Sequence, residues 1–249
     1  MEPGFGYVFP AIKGIQAGRS YYVSMCPLRL LNRIFTYDEE ELRPEMRAQR
    51  TLNKGRLPEL ARYIVGNQSG YVFSAITASV DGDCTFEPVG KSPEAQKLGS
   101  LKVSMDARFI INDGKHRRAA IKIALEENPD LGDETIAVVF FMDRGLKRSQ
   151  QMFADLNRHA VRPSKSLGIL FDHRDEMAQI VRLAVLDSEF FRDIVELERS
   201  SLSRGSRKLI TLSSLYGGSL ALLDGIEQSS QESTVQIVRE YWETVARSI

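Results

Sequence analysis

The sequence predicts an α+β protein, with a sheet-rich part at residues 1–142 followed by a helical region at residues 143–249. Three observations carry that expectation. Stretches rich in β-branched and aromatic residues ("SYYVSM", "YVFSAITASV", "TIAVVFFM") all fall before residue 143. Beyond it, apolar residues recur every three or four positions instead. The 249 residues are 43% hydrophobic and 27% charged, a composition and length that can bury a substantial core.

Taken in order, "SYYVSM" (20–25) reads as a strand, and "PLRLLNRIF" (27–35) as a helix with Pro27 at its first position. An acidic-then-basic segment leads to Leu57, Leu60, Ala61, Ile64 and Val65, whose spacing predicts a helix over 57–65 closed by Gly66 and Asn67. "YVFSAITASV" (71–80) predicts a strand ending in the Asp81-Gly82 turn, with "CTFEPV" as its hairpin partner. "ARFII" predicts a short strand, "HRRAAIKIALEEN" a helix stopped by Asn128-Pro129, and "TIAVVFFM" a strand buried on both faces. Strand, helix and strand together predict a crossover unit.

In the second part, "LKRSQQMFADLNRH" predicts a helix with Met152, Phe153 and Leu156 on one side. "RPSKSLGILFDHRDEMAQIVRLAVLD" predicts one continuous helix capped by Ser164, its apolar stripe being Leu167, Leu170, Phe171, Met177 and Val181. Residues 198–208, "ERSSLSRGSRK", predict an exposed loop, and two more helical stretches follow. The last keeps Val235, Val238, Trp242 and Val245 on one face up to Ile249 without a stop signal, so a longer protein is expected.

Composition excludes several function classes. Lys and Arg number 33 against 33 Asp and Glu, which rules out a bulk polycation but leaves room for a local basic surface. The longest apolar runs are far short of the ~20 residues of a membrane helix, and the start lacks a secretory pattern. With two cysteines in no close pair, inert thiols in a reducing cytoplasm are expected. The three histidines lie at no zinc-finger spacing, so no metal site is expected, and "FDHRD" (171–175) reads as a solvated, salt-bridged face. No P-loop, nucleophile-elbow or Rossmann glycine pattern is present.

"NDGKHRR" (112–118) is the stretch that carries chemistry. A glycine between a strand and a helix lets a ligand approach the backbone closely, and the helix start offers unpaired N–H groups and a positive dipole end. Lys115, His116, Arg117 and Arg118 crowd cations into that first turn, and a bound anion such as phosphate would relieve their repulsion. Asp113 could offset that charge, orient His116, hold a divalent ion or act as a base. Asp-Gly is also an ordinary turn, and a basic helix start can simply be solvated, so the residues alone leave both readings open.

"DGKHRRAAI" resembles the DG-x-HR signature of the DGQHR-domain family, which is similar to the phosphate-binding strand–turn–helix of ParB and sulfiredoxin-like domains. "GIQAGRSYYVSMCPLRLLNRIF", "RAQRTLNKGRLPELARYI" and "QQMFADLNRHAVRPSKSLGILFDHRD" resemble, in the same order, blocks of the DndB family of DNA phosphorothioation regulators. Lys115 stands where the DGQHR pattern has Gln. The resemblance implies a ParB/sulfiredoxin-like mixed sheet with helices over 1–142, a helical region packed on it, and members that commonly continue past this length. It implies a cytoplasmic, double-stranded-DNA-binding repressor of a sulfur-modification operon, with modification-system proteins and further copies of itself as partners.

The implied phosphate site comprises Asn112, Asp113, Gly114, Lys115, His116, Arg117 and Arg118, completed by Asn157 and Arg158 from a neighbouring helix. The expected DNA-contacting residues are Arg162, Lys165, Arg204, Arg207 and Lys208. Two other readings stand beside this one. In an enzyme that hydrolyses a nucleoside triphosphate with Mg²⁺ or nicks DNA, Asp113 or His116 would be the catalytic acid/base. The third is a protein–protein module within the modification machinery.

Overall fold

The computed structural model describes residues 6–35, 52–142, 146–158, 163–226 and 230–248. The chain forms two compact units, Met1–Ala160 and Val161–Ile249, and has the mixed α+β class expected, with a helical C-terminal part. The helix expected at the start of the second region instead belongs with the sheet.

In the first unit, β1 (Gly6–Gln16) and β2 (Arg19–Pro27) form a hairpin, followed by α1 (Leu28–Ile34) and α2 (Leu57–Gly66). Next come β3 (Ile76–Asp81), β4 (Cys84–Pro88), β5 (Leu98–Ser104) and β6 (Arg108–Asp113). α3 (Lys115–Glu127), β7 (Thr135–Phe141) and α4 (Leu146–Arg158) complete it. The strands make one seven-stranded sheet in the order β4-β5-β1-β2-β7-β3-β6, antiparallel except for the β3–β7 pair.

Three expectations need correction. β4 does not pair with β3: β3 pairs with β6, and β4 with β5. The two ladders are halves of one long bent ribbon, Asp81 opposite Arg108 and Cys84 opposite Val103, with halves at opposite ends of the strand order. Two residues joining β3 to β4 span at most about 10 Å, whereas five strand spacings would separate them by about 24 Å in a flat sheet. The sheet must therefore curl. Second, β6, α3 and β7 do not form a parallel crossover, because β3 lies between the two strands and is antiparallel to β6 but parallel to β7. Third, β7 is fully buried on alternate residues only, Ile136, Val138 and Phe140. β3 also starts five residues later than expected. Val72 N–H donates to the Tyr63 hydroxyl and Ala75 C=O accepts from Arg117, so this segment's backbone is spent on side chains rather than a ladder.

The inner face of the sheet joins α1, α2 and α3 in one core containing Phe9, Leu31, Ile64, Val80, Leu101, Phe109, Ile121 and Phe140. The outer face is covered differently. α4 packs on the β6 side, where Met152 meets Asn112 and Ser149 is fully buried, while Leu156 is 42% exposed rather than part of a buried stripe. Away from α4, Val8, Ile12, Met25 and Leu98 stay exposed on the outer face.

The second unit contains α5 (Lys165–Phe171), α6 (Glu176–Leu186), α7 (Glu189–Arg192), the two-residue strands β8 (Val195–Glu196) and β9 (Ile210–Thr211), α8 (Leu212–Leu222) and α9 (Gln231–Arg247). The continuous helix expected over 164–187 is broken at "DHRD". Asp172 Oδ1 accepts the Arg174 and Asp175 N–H groups, and Asp175 caps α6 by accepting from Ala178 N–H at 2.9 Å. Asx residues of this kind outcompete the helix for its own backbone. The break leaves Phe171 68% exposed, off the apolar stripe. Among the described residues no helix is long and apolar enough to cross a membrane.

Two measurements test these local structures. Ala17 sits at φ +51° in the β1–β2 turn, a conformation that costs an L-residue about 1–2 kcal/mol. Ala17→Gly should therefore raise stability by several tenths to about 1 kcal/mol in urea unfolding, after the flexibility cost of glycine. The Tyr216 hydroxyl donates to Asp175 at 2.7 Å, and this bond, then burial, pushes its pKa from 10.0 up to about 12. Its stabilising effect is full below pH 10 and lost as pH rises through about 12. Tyr216→Phe should flatten the fall in stability across that window.

Candidate functional site

The DG-x-HR turn is where β6 hands over to α3. Gly114, at φ +104°, is the helix N-cap, and a Cβ there would lie 3.0 Å from both Arg117 Nη2 and Ile76 Cγ1. Glycine is therefore needed for both the backbone conformation and the space. α3 has no side-chain cap and no acid in its first turn; the Arg118 N–H bonds back to Gly114 C=O at 2.9 Å. The N–H groups of the preceding positions point outward from the helix start.

The cationic side chains of that turn diverge. Arg117 folds back: Nη2 donates to Asp113 Oδ2 at 2.6 Å and to Ala75 C=O at 3.1 Å, and Nη1 donates to the Ser74 hydroxyl. His116 Nε2 accepts the Asn53 N–H at 2.9 Å, which assigns the unprotonated nitrogen to that position. Arg118 Nη2 donates to Phe35 C=O at 2.6 Å, away from the turn, and is not a lining residue. Asn112 is fully buried, its amide donating to Ser79 Oγ and Met152 Sδ at 2.7 Å each. Neither Asn112 nor Arg118, both expected at the anion, lines the cavity at this turn: one is enclosed between β3 and α4, and the other braces the end of α1.

A cavity of about 170 Å³ remains beside Gly114, its walls running from Asp113 to Arg117. The sequence reading placed Asn157 there, and α4 does bring it to the wall; its amide donates to Phe153 C=O at 2.7 Å. Arg158, at the end of α4, is exposed and does not line the cavity. Arg56, Leu60 and Phe153 line it too and were missed. Arg56 lies in a short 3-10 turn, Lys54–Arg56, capped by Asn53, the residue that also engages His116. The cluster "NKGR" before a helix start was the available signal. With Asp113 and Arg117 paired, Lys115, Arg56 and the α3 N-terminus give the cavity its positive character.

The second unit carries the basic loop. Arg204 and Arg207 are exposed, as is Lys165 at the start of α5. Lys208 is partly buried, with Nζ donating to Arg192 C=O at 3.0 Å, while Arg162 lies outside the described residues. Arg199, exposed in the same loop, was overlooked. The loop's backbone is fastened. Ser200 Oγ accepts Lys165 N–H at 2.8 Å, Ser166 Oγ donates to Arg199 C=O at 2.8 Å, and the Ser164 hydroxyl donates to Glu198 C=O. Glu196 accepts the Glu198 and Arg199 N–H groups, and these bonds, Glu198 first, hold its carboxyl below the usual range. The sequence predicted exposure here but not this anchoring.

Among known proteins, a family model described as "DndB: DNA-sulfur modification-associated" matches residues 9–249. Neither the curated proteins nor the solved structures include a match.

Gly114→Ala should destabilise the first unit by about 1–3 kcal/mol, because left-handed backbone and contact with Arg117 act together. Arg117→Ala should cost a similar amount, by leaving Asp113 and the Ala75 carbonyl without their donor. Thermal melts that match wild type for both variants would contradict this assignment of Arg117 as a brace.

Proposed function

Because the chain belongs to the DndB family of DNA-sulfur-modification-associated proteins, we propose that it is a DNA-binding regulator that represses its modification gene cluster. The observation that carries this reading, beside the family, is the anchored loop of the second unit. It presents Arg199 to solvent on a backbone tied to α5, with Arg204 and Arg207 exposed farther along the same loop. An exposed array of guanidinium groups suits phosphate contacts, which set a protein's position on duplex DNA without reading its sequence. Lys165 extends the array. The Gly114 cavity adds a second phosphate-sized point of attachment in the first unit, formed by Lys115, Arg56 and Asn157. The regulator acts in the cytoplasm as a homo-oligomer, alongside the proteins of the modification system.

The hydrolase reading has less support. Of its two candidate acid/base groups, Asp113 is ion-paired to Arg117, and His116 already accepts a backbone N–H at Nε2. A volume of about 170 Å³ is also well below the ~300 Å³ at which small-molecule sites begin. One phosphate group fits there better than a nucleoside triphosphate.

A mobility-shift titration on the upstream region of the protein's own operon tests the proposal. Specific binding over random duplex at moderate salt is expected. Arg204→Ala and Arg207→Ala should each weaken it and lower the salt slope by roughly 1. Equal affinity for random duplex would sink the regulatory reading. Hydrolysis of ATP or CTP with Mg²⁺ should stay at background.

A further inference from the structure

α4 covers part of the outer sheet face with little apolar burial. Among its described side chains, residues 147–158, the only buried one is a serine, Ser149. Met152 and Phe153 are half-buried, and Leu156 faces solvent. α3 has the same length, 13 residues, yet it sets Ala119, Ala120, Ile121 and Ala124 into the fold. Burial of an apolar stripe is what ordinarily holds a helix against a sheet. α4 lacks most of it.

Its seat is polar instead, and incompletely satisfied. Asn112 and Ser79 are fully buried, and the Asn112 amide donates to Ser79 Oγ and to Met152 Sδ at 2.7 Å each. A thioether is a weak acceptor. Asn112 Oδ1 and Ser149 Oγ, both buried, have no hydrogen-bond partner among the described residues. A polar atom enclosed in this way loses its hydration and gains nothing in return. With α4 raised, both atoms meet water and that cost disappears.

We propose that α4 is a reversible cover, which lifts from β3 and β6 while the rest of the first unit stays folded. Elements that move in this way are drawn from the least stable parts of a structure. Lifting has a defined consequence, because α4 also supplies Phe153 and Asn157 to the wall of the cavity beside Gly114. The other walls stay in place. Arg56 and Leu60 belong to the 3-10 turn and α2, and the Arg117 clamp fixes residues 113–117. The cavity is therefore complete with α4 seated and open along one side with α4 raised. In the anion reading proposed above, a phosphate at Lys115 meets Asn157 only in the seated state, so occupancy and seating favour each other. That link rests on the anion reading; the cover does not.

Native-state hydrogen exchange, followed amide by amide, tests the cover. Amides of residues 152–157 should exchange about a hundredfold faster than those of residues 121–125 in α3. They should also respond little to low urea, the mark of a local opening that exposes little surface. Ser149→Ala removes an unpaired hydroxyl and should slow exchange throughout α4 about tenfold, leaving α3 unchanged. Gln151→Ala, at an exposed position of the same helix, leaves the seat intact and should alter it no more than about twofold. Met152→Ala takes away a half-buried contact and a partner of Asn112, and should speed α4 exchange about tenfold. The proposal is overturned if α4 and α3 exchange at one rate with one urea dependence, or if Ser149→Ala leaves α4 exchange unchanged or faster. Inorganic phosphate separates this reading from the anion site. Slower α4 exchange with phosphate in wild type, but not in Lys115→Ala, supports both. Fast α4 exchange that phosphate leaves unchanged retains the cover and removes the anion from the Gly114 cavity.

Discussion

The guanidinium of Arg117 is the tie on which the signature turn depends. It joins the end of β6 through Asp113, the approach to β3 through Ser74 and Ala75, and its own helix, α3. Removing it would free a carboxylate, a carbonyl and a hydroxyl at a point where the side chain of Arg117 is only 19% exposed. The left-handed Gly114 follows from this tie, because the guanidinium occupies the space that a Cβ would need. So do the late start of β3 and the position of the α3 N-terminus. A motif that looks like a ligand-binding signature is in large part a clamp between segments more than 40 residues apart.

That clamp sorts the charges of the turn by function. Asp113 and Arg117 neutralise each other, His116 braces the Asn53 turn and Arg118 braces Phe35. The charges that remain at the cavity mouth, Lys115 and Arg56, come from two elements and carry no paired acid in the α3 first turn. An anion held there as proposed would be met by Lys115, the position where this chain departs from the DGQHR pattern, and by Arg56, a residue outside the motif. The departure strengthens electrostatics where the pattern's Gln would supply only a neutral amide.

Much of the fold was legible, and the failures share a cause. Helices with clean periodicity and turn chemistry, such as α2 and α3, fall where Pro58, Gly66 and Asn128 place them. β1 went unread because Pro10 and two glycines hide it; Pro10 sits opposite Ser100 in the ladder with β5, before the ladder with β2 begins at Ile12. The β3–β4 hairpin was a local inference from Asp81-Gly82 that long-range pairing with β5 and β6 overrode. In the site, the chain alone located Gly114, Lys115 and Asn157. It could not show which way Arg117, Arg118 and Asn112 point, because their partners Ser74, Phe35 and Met152 are distant in sequence.

Charge balance and the proposed DNA partner are compatible because the charges are segregated rather than scarce. In the second unit, Glu196 is held by two backbone N–H groups inside its loop and Asp175 is engaged by Tyr216 and the start of α6, so both acids act as structural acceptors. Arg199, Arg204 and Arg207, on the same stretch of chain as Glu196, are turned to solvent. Acids engaged by the backbone beside arginines left at the surface make this stretch locally basic with no change in net charge, while Glu198 of the same loop is itself exposed. Screening limits its reach to roughly 8 Å at physiological salt. A basic stretch of this kind acts at contact distance more than as a field that attracts anions from afar.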